Sequence, residues 1–373
     1  MHVKALKCVD CDEEYSPDKI KYRCESCGSS LDVVYDYDEI KNKISWDKIR
    51  ERTPSHLRYR EFLPLLDPKF VMEMGEGGTP LMESAFFSEK LNIDLHFKME
   101  SLNPTGSFKD RGTSVELGKA LEHGAGEVVV ASTGNMGSSI AAYCARAGVN
   151  AKIYVPEDVG GPKLRQMKEH GAEIFEVEGD YSLAAERAWN EWEENRTYLM
   201  GDYPYRGEGE KTVGHEIGDQ IDADKVVLPV GNGTLIHGTW KGLKELKKVD
   251  LKQQTPQMVG VQAEGCNTVV KALKKGYENV RPVEETDTVA GAIACADPLD
   301  GDQALNSIKQ SNGFGTAVTD DEIIKAKRLL AEKEGIYAEE AGAAPLAGIL
   351  KNRKKFEERE TVVCVITGHG LKT

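Results

Sequence analysis

Val128-Val-Val-Ala-Ser-Thr-Gly-Asn-Met-Gly-Ser-Ser-Ile-Ala-Ala-Tyr-Cys-Ala-Arg-Ala147 is the stretch whose reading decides the fold. Residues 128–131 are apolar and too few for a helix, which suits a strand buried on both faces. A turn with two glycines follows. A run of small residues over 137–147 then reads as a helix ending before Gly148. The alternation continues outward, with strands at 151–155 and 173–177 and helices at 162–170 and 182–194. Ser182 is placed to cap the last of these. A second series has strands at 225–230, 258–263 and 361–367, and helices at 236–247, 320–333 and 341–352. Repeated strand–helix units build parallel sheets covered by helices. The expectation is therefore an α/β protein with two open parallel-sheet domains, whose ligands sit at the carboxyl ends of the strands.

The bulk composition narrows the function. The chain has 373 residues, 40% hydrophobic and 29% charged, with a net charge of −14. That length is enough for two domains. The acidic balance argues against a nucleic-acid partner. No apolar run reaches the ~18 residues of a membrane span. The N-terminus leads into a cysteine pair instead of an apolar stretch, so no signal peptide and a cytoplasmic location are expected.

Four of the eight cysteines form one pattern, Cys8-x2-Cys11-x12-Cys24-x2-Cys27. Two such knuckles can place four thiolates at the corners of a tetrahedron around zinc. Residues 15–21 would form a hairpin arm, and Gly28 would relieve the turn after the last ligand. Two disulfides or a redox dithiol are the competing readings. A reducing compartment disfavours the first, and the second needs only one CxxC. With four protein ligands the zinc would be structural. Residues 36–75 read as a linker with short helices.

Three glycine-bearing loops follow predicted strands: Ser132-Thr-Gly-Asn-Met-Gly137, Gly231-Asn-Gly-Thr-Leu235 and Thr367-Gly-His-Gly370. Each could present backbone N–H groups to an anion. The glycine spacings of dinucleotide and nucleoside-triphosphate loops are absent. Lys109 stands in Asn103-Pro-Thr-Gly-Ser-Phe-Lys-Asp-Arg-Gly112. Alone, a lysine in such a segment reads as a surface charge.

In combination, the Lys109 segment, Ser-Thr-Gly-Asn135, the 231–235 loop and Thr367-Gly-His-Gly-Leu-Lys372 resemble the threonine synthases. These are pyridoxal-phosphate enzymes of fold type II, with the tryptophan synthase β-like fold. The resemblance covers nearly the whole chain, including the four-cysteine module. It implies a zinc ribbon at 1–35 and, at 36–100, a linker with the first part of the large cofactor domain. A smaller α/β domain at 101–204 would carry the cofactor lysine and the substrate loop. The large domain would be completed by 205–373.

The resemblance also implies roles. The Lys109 amine would condense with the cofactor aldehyde and later move protons as general base. Asn135 would bond the ring hydroxyl. Gly231, Asn232, Gly233, Thr234 and Leu235 would hold the cofactor phosphate through backbone amides. Thr367 would face the pyridine nitrogen. Ser132 and Thr133 would receive the substrate carboxylate, and Arg206 and Lys211 would anchor a substrate phosphate. Asp110 and Arg111 would orient the lysine helix, and Phe108 reads as core. A homodimer is expected by analogy.

Several positions depart from the family pattern. The usual Gly-Asn-Ala-Gly-Asn loop is Gly231-Asn-Gly-Thr-Leu235, and Met136 replaces a threonine. Gly201-Asp202 replaces Asn-Ser, although Arg206, Glu208, Gly209 and Lys211 match. Glu339-Glu-Ala-Gly342 replaces Glu-Pro-Ala-Ser. An ionised Asp202 would repel a substrate phosphate. The first expectation is conversion of O-phosphohomoserine and water to L-threonine and phosphate. The second is a dehydratase or β-replacement enzyme on an unphosphorylated or different small amino acid. The third is an amino-acid-binding regulatory protein.

Overall fold

Strand Glu127–Ala131 runs into helix Asn135–Ala147, and strand Asn150–Pro156 returns parallel to the first. Gly148, at φ +68°, closes the helix in the left-handed conformation that a residue with a Cβ rarely adopts. The computed structural model describes every residue except Met1, Leu66, Asp158, Val159 and Asp180.

Two open sheets organise the described residues. The smaller has four parallel strands in the order Glu173–Val177, Asn150–Pro156, Glu127–Ala131, Tyr198–Leu199. The larger has six, in the order Phe314–Val318, Gln257–Ala263, Lys225–Pro229, Thr361–Val365, Asp94–Lys98, Leu81–Glu83. All run parallel except Leu81–Glu83, an antiparallel edge strand. The last predicted strand thus ends at Val365 and leaves Thr367 in the loop beyond it. Strand Asp94–Lys98 lies far from its neighbour Thr361–Val365 in sequence, which is why no local alternation disclosed it. Helix Tyr181–Asn195 begins one residue earlier than expected, so Ser182 sits inside its first turn and does not cap it.

Strands Val3–Cys8, Glu14–Tyr15 and Leu31–Tyr35 make an antiparallel N-terminal sheet. Of the hairpin arm expected at 15–21 only Tyr15 pairs, in strand Glu14–Tyr15, and residues 16–21 belong to no strand. Leu6, Leu31, Val33 and Tyr35 share one buried cluster with Ile49, Phe62, Tyr205 and Leu246. This small module therefore has no separate core, and its apolar face is buried against the body of the protein.

Candidate active site

Lys109 is the first residue of helix Lys109–Glu122. Its neighbours are fixed before it. Phe108 N–H donates to the Thr367 carbonyl at 3.1 Å, and His369 N–H donates to the Gly106 carbonyl at 2.9 Å. Asp110 accepts from the Thr105 amide (2.7 Å), the Thr105 hydroxyl (2.6 Å) and the Ser139 hydroxyl (2.6 Å). Arg111 is fully buried between Glu100 and Glu216, each at 2.7 Å. Asp110 and Arg111 thus hold the turn of backbone from which Lys109 projects. Phe108 packs against the core of the larger sheet.

The Lys109 ammonium lies 3.3 Å from Asp202 Oδ1 and 3.2 Å from Glu210 Oε1. Burial pulls its pKa down, but Asp202 and Glu210 together outweigh burial and raise it. Burial pushes Glu210 up against the pull of Lys109. Asp202 stays below its ordinary value because Lys109 and Arg206 outweigh its burial.

The three glycine-bearing loops meet around this lysine. Asp202 Oδ2 accepts from Asn232 Nδ2 at 2.7 Å, tying the lysine to the 231–235 loop. On the other side, Asn135 Nδ2 donates to Glu339 Oε1 at 2.7 Å. Glu339 N–H donates to the Gly368 carbonyl, and Gly368 bridges to Ser107 in the lysine segment. A Cβ on Gly368 would lie 2.1 Å from Glu339 Oε1, so only glycine fits there. Ser132 Oγ accepts from the Gly137 amide at 2.9 Å and shapes its loop, while Thr133 is half-exposed beside it.

The residues fit pyridoxal phosphate on two observations. Helix Thr234–Lys248 starts at the 231–235 loop with no side-chain cap on its first amides, the arrangement an anion occupies. Asn135 Oδ1 is buried without a hydrogen-bond partner and can accept from a ring hydroxyl. At the N-terminus, the sulfurs of Cys8, Cys11, Cys24 and Cys27 lie within 4.8 Å of one another, a spacing that fits a tetrahedral metal.

Arg206 and Lys211 are placed differently from the other expected residues. Arg206 Nη2 lies 2.6 Å from Glu116 Oε2, and its Nε donates to the Gly201 carbonyl at 2.9 Å. Lys211 lies 2.5 Å from Glu208 and 2.9 Å from Glu245, over the Tyr35 ring. Both are fully buried and engaged with the protein's own acids. Leu235 packs in the core, so only its backbone faces the loop's work. Two acids near the site, Glu210 and Asp300, carried no sequence signal as site residues, and Glu339 was noted only within the Glu339–Gly342 segment, with no role given to it. Glu339 looks like an acidic helix start, and Asp300 like a turn residue before Gly301.

Comparison with known proteins now gives the class. A family model described as pyridoxal-phosphate dependent enzyme matches residues 72–368. The chain belongs to the pyridoxal-phosphate dependent enzyme family. Within it, the chain is 40% identical to the threonine synthase of Methanocaldococcus jannaschii, over 98% of this chain and 92% of the relative. It is 41% identical to the threonine synthase of Methanosarcina acetivorans, with the same coverage. The processed form of threonine deaminase isoform 2 from Solanum lycopersicum superposes with a TM-score of 0.69 at 21% identity. It covers 96% of this chain and 95% of that one, a likeness of fold.

Proposed function

We propose that this protein is a threonine synthase, converting O-phosphohomoserine and water to L-threonine and phosphate on pyridoxal phosphate held at Lys109. One observation carries the reading most directly: Lys109 Nζ sits between Asp202 and Glu210, and the lysine segment is hydrogen-bonded to Thr367 and, through Asp202, to Asn232 of the 231–235 loop. The kinship with threonine synthases over nearly the whole chain supports the substrate.

The cofactor, when bound, supplies the electron sink that stabilises carbanions next to the substrate nitrogen. The chain does the rest. Lys109 holds the cofactor and then moves protons as general base. Asp202 and Glu210 stabilise the ammonium form of Lys109 each time it takes up a proton. The amides of the 132–137 loop and Thr133 receive the substrate carboxylate, with Ser132 bracing the loop. Asn135, held by Glu339, would offer Oδ1 to the ring hydroxyl, and Thr367 would serve the ring nitrogen. Amides of residues 231–235 hold the cofactor phosphate. Arg206 is the cation this reading assigns to the substrate phosphate, and its guanidinium is paired with Glu116. Burial pushes Glu116 up to about 7 against the pull of Arg206. Lys211 braces the protein through Glu208 and Glu245. The four cysteines hold zinc in a structural role.

A second reading draws on the pairing of Arg206 and Lys211 with protein carboxylates and on Asp202 beside the lysine. In it, the enzyme is a dehydratase of an unphosphorylated hydroxy amino acid. One assay separates the two: cofactor-loaded protein is given O-phosphohomoserine, and phosphate and threonine are measured together. The expected result is equal rates of both. No phosphate release from loaded protein, with turnover of serine or threonine, would replace the first reading by the second.

A further inference from the structure

The loop assigned to the cofactor phosphate is not braced by the large domain alone. Ser30, three residues after the last cysteine of the ribbon, reaches across to the body of the protein. Its Oγ lies 3.3 Å from Asp300 Oδ1 and 3.5 Å from the Leu299 carbonyl. Asp300 Oδ2 accepts from Thr234 Oγ1 at 2.6 Å, and Thr234 opens the helix at the loop. Asp300 N–H donates to the Asn232 carbonyl at 3.0 Å, and Leu299 N–H to Asn232 Oδ1 at 2.5 Å. Gly233, at φ +103°, passes so close to Asp300 that a Cβ would lie 2.4 Å from its carbonyl oxygen.

The ribbon grips the same helix again about two turns along. Lys241 Nζ lies 2.5 Å from Asp32 Oδ1 and donates to the Val33 carbonyl at 2.8 Å. Tyr22, Arg23 and Ser30 of the ribbon line one cleft together with Asp202, Thr234 and Asp300. A helix held at its first residue and two turns on has its first amides fixed in direction. Direction matters because the amides bind a phosphate only when aimed at it.

We propose that Ser30 and Asp300 are positioning residues through which the N-terminal ribbon sets the aim of the loop that binds the cofactor phosphate. This rests on reading 231–235 as the phosphate-holding loop. The ribbon is then part of the cofactor site as well as a structural module, and ordering it by metal tightens cofactor binding at a distance.

The test is titration of the full-length, metal-loaded protein with pyridoxal phosphate, followed by absorbance. Ser30→Ala is expected to weaken cofactor binding roughly five-fold, the scale of one hydrogen bond, with metal content and melting temperature unchanged. Ser30→Thr, which keeps the hydroxyl, is expected to restore it. In an Asp300→Ala background, weak by itself, Ser30→Ala should add nothing, since the two act as one relay. Unchanged affinity in Ser30→Ala, no rescue by threonine, or independent additive losses would each overturn the proposal. Gly233→Ala separates this failure from failure of the loop reading. If Gly233→Ala weakens binding and Ser30→Ala does not, only the relay is wrong. If Gly233→Ala folds and binds the cofactor as tightly as the parent, the loop reading itself is wrong and the relay falls with it. The titration needs no substrate, so it is independent of which amino acid the enzyme transforms.

Discussion

The charge on Lys109 is set by opposing effects: burial disfavours it, and Asp202 and Glu210 together outweigh burial. Lys109→Ala is expected to remove the absorbance of lysine-bound cofactor and to lower turnover by about a thousand-fold or more, checked by spectrum and rate together. Asp202→Asn removes one of the two carboxylates, so the ammonium loses its proton at lower pH. The pH at which the lysine takes up cofactor should then fall by roughly one unit, read from absorbance across a pH series. An unchanged pH profile would show that Asp202 does not govern this amine. The neighbouring Asp110 differs in kind. Burial pushes it up to about 6 against three donors, and it works by holding Thr105 and Ser139.

The elements of the site owe their positions to pairings between distant segments. The 366–369 segment stitches the lysine loop in place, and Glu339 joins Asn135 to Gly368. The ribbon sheet has too little core to stand alone, since its apolar residues are shared with Phe62, Tyr205 and Leu246. Its four thiols therefore carry much of its local order. The double substitution Cys8→Ser and Cys11→Ser is expected to abolish metal binding, measured by metal analysis, and to lower the melting temperature by several degrees. Through Ser30 it should also weaken cofactor binding. Normal metal content in the double variant would remove the four-cysteine site.

Across the whole molecule, buried carboxylates link segments that lie apart in sequence. Glu76 is fully buried, 2.9 Å from His56 Nε2 and 2.7 Å from the Tyr143 hydroxyl. Burial raises its pKa, but His56 and the donors around it outweigh that and bring it down to about 2. A carboxylate whose folded pKa is depressed stabilises the fold fully above its unfolded value, here 4.5, and loses that contribution as pH falls toward 2. Glu76→Gln should thus cost on the order of 3 kcal/mol at pH 6, measured by denaturant unfolding. The gap to the parent should narrow as pH falls from about 4.5 toward 2. A gap independent of pH would mean that packing, and not charge, sets the loss. Among the described residues, no helix is long and apolar enough to cross a membrane.

What the sequence determined by itself was whatever is encoded locally. The strand–helix alternation from 128 to 177 states the α/β class, because apolar runs and small-residue helices fold by their own periodicity. The paired CxxC spacing states a four-thiol cluster, and the Lys109 segment with its glycine loops gives the cofactor class through its resemblance to a known family. The tertiary structure alone decided the charge around Lys109, since Asp202 and Glu210 reach it from 93 and 101 residues away. It also decided that Arg206 and Lys211 face protein carboxylates, and that Ser30 touches Asp300. Each of these depends on which side chains meet when two sheets and a ribbon pack together. Charge and hydrogen bonding act through space over a few ångströms, and no local pattern along the chain records that meeting.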